Sequence, residues 1–77
     1  MDPGLAAAAL SQGECPLTPR EHEVLVASRQ YATVADLATA LYLSPGTVRN
    51  HLSSVMQKLD ARNRAEAIQV AERRGWL

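Results

Sequence analysis

The sequence predicts an all-α fold, a compact domain of four helices, and three observations lead there. Helix-start signatures recur four times in 77 residues. The apolar residues behind each start follow helical spacing, and no period-two alternation competes with them. The composition is 47% hydrophobic yet holds no Phe, two Tyr and one Trp, so the core must be built from Leu, Val, Ala and Ile. That set suits packed helices better than a sheet, which favours β-branched and aromatic residues.

The first start is "LTPRE": Thr18 caps, Pro19 takes the first helical position, and Glu21 completes a capping box. Behind it Val24, Leu25 and Ser28 share a face. The second is "TVAD", with Thr33 and Asp36 in the same roles. Val34, Leu37, Ala38 and Leu41 then form an i, i+3, i+4, i+7 stripe. The third is "SPGT", with Ser44 as cap and Pro45 where its missing N–H costs nothing. Val48, Leu52, Val55, Met56 and Leu59 occupy one arc of that helix. The fourth is "NRAE", where Asn63 caps and Glu66 lies three residues on; Ala67, Ile68 and Ala71 follow, and Gly75 is expected to end the helix. Only "YLS" separates the short second helix from the cap of the longer third. A short helix, a tight turn and a longer helix make a helix-turn-helix.

Residues 1–16, "MDPGLAAAALSQGECP", have a different character and read as a linker ahead of a domain over 17–77, with room for a short additional N-terminal helix starting at Asp2. A segment like this often tethers something, and a chain that opens with a linker is expected to be a piece of a longer protein. The single Cys15 cannot form an intrachain disulfide and is expected to be an ordinary reduced thiol. No apolar run is long enough to span a bilayer, and "GLAAAAL" lacks the charged flank of a signal peptide, so a cytoplasmic location and no membrane partner are expected. His22 and His51 have no companions at ligand spacing, and no nucleophile–base pair, phosphate loop or paired carboxylates stand out. Neither an enzyme, a metal, a cofactor nor a small-molecule substrate is expected.

The net charge is zero, but it is unevenly spread. Residues 1–43 hold two basic side chains against five acidic ones, whereas residues 44–77 hold six against three. The positive half begins at the third helix. On a wheel of roughly 100° per residue, that helix sets Asn50, Ser53, Ser54 and Gln57 opposite its apolar arc, with Arg49 at one margin and His51 and Lys58 at the other. Short polar side chains flanked by cations suit a major groove, where Asn, Gln, Arg and Ser read base edges and marginal cations reach phosphates. Gly46 leaves the end of the helix bare for close approach. A plain solvated face is the competing reading of the same pattern.

The residues "LTPREHEVL", "DLATALYLSPGTVRNHL", "QKL" and "NRAEA" stand at the spacing of one known family. From Leu17 to about Ala71 the chain closely resembles the DNA-binding domain of the LuxR/NarL/FixJ bacterial transcription regulators. Its ending "GWL" and its preface are most similar to the C-terminal effector domains of actinobacterial two-component response regulators. The resemblance implies a third helix in the major groove of double-stranded DNA, with Arg49, Asn50 and Ser53 at base-contacting positions. It implies backbone or supporting contacts from Thr47, His51 and Lys58, and Ser44, Ser54 and Gln57 join that set by position. It implies that Arg20 and Glu21 hold the first helix in place. It further implies a homodimer through the last helix, for which Glu66, Ala67, Val70, Arg73 and Arg74 are candidates; a merely exposed Val70 is the alternative. RNA polymerase is a further candidate partner, and a receiver domain is expected to supply control.

Two departures matter. Tyr31 stands where the family usually has Gly, so the turn after the first helix must differ or accept strain; Val34 and Ala35 stand where Asn and Lys are common, which implies fewer phosphate contacts. A helical protein-interaction module and a sigma-factor-like helix-turn-helix are the alternatives. "TVRNH" and "NRAEA" argue against the second.

Overall fold

The computed structural model describes residues 15–77. Most of the linker expected over residues 1–16, and the additional N-terminal helix, lie outside the described residues. The four expected helices are α1 (Pro19–Ala27), α2 (Val34–Leu41), α3 (Pro45–Lys58) and α4 (Arg64–Arg73), and no strand occurs among the described residues.

Each N-cap is the residue the sequence nominates. Thr18, Thr33, Ser44 and Asn63 are extended and accept the amide of Glu21, Asp36, Thr47 and Glu66 respectively. Only the first makes a full capping box, with the Glu21 carboxylate returning to the Thr18 N–H at 2.9 Å. Glu66 reaches one residue further, to the Arg62 N–H at 2.8 Å.

Three helix ends share one device. The N–H of Leu43 bonds the Ala38 carbonyl, that of Ala61 bonds Met56, and that of Trp76 bonds Ala71, each closing a six-residue loop. The residue before each donor is left-handed: Tyr42 (φ 58°), Asp60 (φ 54°) and Gly75 (φ 77°). Gly75 is the expected stop. Asp tolerates this region, but for a bulky side chain it costs about 1–2 kcal/mol. The strain anticipated near Tyr31 is absent. After α1 the chain unwinds through bonds from Arg29 to Val26 and from Gln30 and Tyr31 to Ala27, so no glycine is needed there.

The core has two lobes joined along α3. Val48 and Leu52 of α3 pack with Val24, Leu37 and Ala38, and Leu43 covers them. Val55 and Leu59 pack with Leu25, Ala67 and Ala71, and Trp76 and Leu77 fold over them. Adjacent residues of α1, Val24 and Leu25, thus enter different lobes. Burying each such side chain contributes about 1.5–3 kcal/mol. His22 and the Trp76 carbonyl meet at 2.6 Å, and Arg29 pairs with Glu72 at 3.2 Å. Arg64 donates to the Ala32 carbonyl, tying the start of α4 to the α1–α2 loop.

Candidate nucleic-acid interface

The polar arc of α3 divides into two parts that do different things. Arg49, Asn50, Ser53 and Gln57 are exposed, and their side chains make no hydrogen bond or ion pair with other described residues. They cover one continuous strip facing away from both lobes of the core. Desolvating such side chains against a polar partner breaks no internal bond.

The other margin turns inward. Ser54 Oγ donates to Glu21 Oε2 at 2.6 Å, and Lys58 Nζ donates to Glu21 Oε1 at 2.7 Å. Glu21 is buried on α1, and the Lys58 side chain keeps only 34% of its exposure. Burial alone would push the Glu21 carboxyl up. Hydrogen bonds from Lys58, Ser54 and the Thr18 amide, with the Lys58 charge, overcome that and lower it to about 2. Ser54 and Lys58, expected at backbone or supporting positions, thus have a partner inside the domain. Both are engaged in clamping α3 to α1, and the Lys58 charge is largely spent on Glu21. Arg20 plays no part in that clamp, because it pairs with Glu23 in water at 2.8 Å.

At the start of α3 the Ser44 hydroxyl accepts the Thr47 amide at 3.1 Å and donates to Thr47 Oγ1 at 2.9 Å. The Ser44 side chain is thus occupied by capping, and the Thr47 hydroxyl proton is free to point outward. A Cβ added at Gly46 would meet nothing within 4 Å. Its φ is not left-handed either, so nothing within the domain requires glycine there. His51 is half-buried on the margin nearer the core.

Of the α4 candidates, Arg73 and Arg74 are exposed, and Glu66 and Val70 are half-buried. Ala67 is corrected: it is fully buried against Leu25, Val55 and Leu59, so its methyl cannot meet a second copy. Glu66 is committed to the cap of its own helix, and Arg74 lies 5.5 Å over the Trp76 ring.

A short helix, a left-handed turn and a longer helix with an unengaged polar strip are the parts of a DNA-reading helix-turn-helix, and residues 15–71 match the family model described as "Bacterial regulatory proteins, luxR family". The chain belongs to the luxR family. It is 47% identical over 68 residues to an uncharacterized transcriptional regulatory protein, YvfU, of Bacillus subtilis, which covers 88% of this chain and 34% of that protein. It is 43% identical over 76 residues to the response regulator RamR of Streptomyces coelicolor, covering 99% of this chain and 38% of the relative. The spore germination protein GerE of B. subtilis is 43% identical over 61 residues, 79% of this chain and 82% of GerE. The chain therefore spans about a third of the first two relatives and most of the third. This luxR-family chain is a DNA-binding domain of the bacterial transcription-regulator type. No helix among the described residues is long and apolar enough to cross a membrane.

The resemblance implies that Glu21 holds the first helix in place, but sequence reasoning does not name its partners: the capping box is visible locally, whereas Ser54 and Lys58 lie 33 and 37 residues away. No local pattern encodes such a meeting.

Proposed function

We propose that the domain binds duplex DNA sequence-specifically with α3 in the major groove, Arg49, Asn50 and Ser53 reading base edges. Thr47, Gln57 and His51 hold the backbone, and Ser44 acts by capping the helix that approaches it. The observation that carries this reading is the strip Arg49, Asn50, Ser53 and Gln57, exposed and without internal partners. Asn can pair bidentately with adenine, Arg with guanine, and the short Ser53 lets the helix sit deep. Lys58 and Ser54 serve here by fixing the angle of α3 through Glu21 rather than by holding phosphates. Ala35, exposed at the start of α2, supplies no cation, so the phosphate share of affinity is small.

Binding to paired half-sites as a homodimer would use Val70, Arg73 and Arg74 on α4, with Glu66 at the edge. In the parent protein a receiver domain would control this step. The similarity to a relative named a response regulator, of which this chain spans 38%, supports that arrangement.

Selection of duplexes from a random pool by the wild-type chain, followed by titration at several salt concentrations, tests the reading. Affinity should fall as salt rises, through counterion release. Arg49→Ala should cost about 1–3 kcal/mol on the selected site and relax preference at one base position. Unchanged specific binding by Arg49→Ala would remove that residue from the reading strip. Failure to select any sequence would overturn the proposal.

A further inference from the structure

The three left-handed helix ends carry three different residues, and one is out of place. Gly75 has no side chain to strain, and Asp60 belongs to the types that tolerate the region. Tyr42 is neither. The backbone around it is fixed from both sides. The Leu43 N–H bonds the Ala38 carbonyl at 2.9 Å, and the Leu43 side chain packs into the core lobe formed by Val24, Leu37 and Val48. Position 42 is therefore left-handed whatever residue occupies it, and glycine would occupy it with least strain.

Nothing within the domain compensates for tyrosine there. Its side chain is 95% exposed, so it buries no area, and its hydroxyl has no partner among the described residues. The other exposed large apolar side chains, Val26 and Tyr31, belong to α1 and to the loop after it. Around Tyr42 the exposed neighbours are Thr39, Ser44 and Pro45, which do not build the apolar patch a protein partner would need. What projects is an isolated phenol.

Its place gives that phenol an address. Tyr42 sits in the turn of the helix-turn-helix, two residues before the Ser44 cap, so the two Cα atoms lie within about 7 Å. When α3 enters a groove, this turn meets the sugar-phosphate rim. Tyrosine hydroxyls are among the groups that bond phosphate oxygens.

We propose that the Tyr42 hydroxyl donates a hydrogen bond to a DNA backbone phosphate at the groove rim, and that the left-handed turn aims it there. This rests on the groove-reading function proposed above. Because phosphates carry no base identity, the contact strengthens binding to every sequence alike and sets register rather than specificity.

The test uses the full chain, the duplex selected by the wild type, and a scrambled duplex of equal length. Tyr42→Phe removes only the hydroxyl. It should weaken both complexes by the same factor, about 3–10-fold, as expected for one hydrogen bond. The salt slope should not change, because no charge is lost. Tyr42→Gly should move two readouts in opposite directions, raising the thermal midpoint by about 4–8 °C while weakening both complexes at least as much. A Tyr42→Phe variant that binds both duplexes like the wild type overturns the hydroxyl contact. So does a loss confined to the selected duplex, which would make Tyr42 a base reader. If the wild type binds no duplex, the groove-reading function falls and this contact with it. If the wild type binds and both variants match it, only the contact falls.

Discussion

Replacing Glu21 with Gln keeps the side chain's size and removes its charge from the point where α1 meets α3. The carboxylate accepts three hydrogen bonds, from the Thr18 amide at 2.9 Å, Ser54 Oγ at 2.6 Å and Lys58 Nζ at 2.7 Å. A bond to a charged group contributes about 1.5–3 kcal/mol, against about 0.5–1.5 for a neutral one. Each bond therefore loses about 1 kcal/mol, and because all three share one carboxylate the losses do not simply add. The expected cost of Glu21→Gln at pH 7 is about 2–3 kcal/mol. A chain of this size has roughly 4–12 kcal/mol in total, so the effect is large.

The same clamp fixes a pH dependence. In the folded chain the Glu21 carboxyl is held at about 2, below its ordinary 4.5. A carboxyl lowered by folding binds fewer protons in the folded state, so its stabilisation is fully present above the unfolded value. It is lost as pH falls from about 5 toward 2. Urea unfolding followed by helical circular dichroism, with equal slopes for both proteins, should show the widest gap at neutral pH and convergence near pH 2. A gap under about 0.5 kcal/mol at pH 7, or one independent of pH, would refute the clamp.

Other substitutions test separate parts of the structure. Asp60→Gly relieves a left-handed residue at the end of α3 and should raise stability by up to about 1 kcal/mol in the same urea experiment. Ala67→Leu forces three extra carbons into a closed lobe and should destabilise by about 1–3 kcal/mol, whereas an interfacial Ala67 would tolerate it in the monomer. Val70→Lys, whose stem can still cover the lobe Val70 packs against, should weaken binding to paired half-sites while leaving single half-sites unaffected. Equal titration curves on both duplexes would take Val70 out of the dimer contact.

The fold was legible because its signals are local. A cap and the amide it binds are three residues apart, so "LTPRE", "TVAD", "SPGT" and "NRAE" each announce a helix without reference to the rest of the chain. The apolar arcs were equally local, and most of the residues on them are buried. Contacts across the chain left no such mark. Lys58 read as a phosphate ligand because its wheel position is marginal, and only the placement of α1 shows it bound to Glu21. Ala67 fitted both the core arc and the outer face of α4, and the roll of α4 decided for the core. The turn geometry was half legible: Gly75 announced its own conformation, while Tyr42 gave no sign of sharing it.

The separation of duties on α3 has a consequence for how such a domain can change. Arg49, Asn50, Ser53 and Gln57 hold nothing inside the molecule, while Val48, Leu52, Val55 and Leu59 hold the core, and Ser54 and Lys58 set the tilt. Exchanging any one of these four outward residues should alter stability by no more than about 0.5 kcal/mol. If Arg49, Asn50 and Ser53 read bases as proposed, recognition can thus drift from one operator to another without passing through an unfolded intermediate sequence. The helix works as an interchangeable key blank, with its shank fixed and its teeth free to be recut.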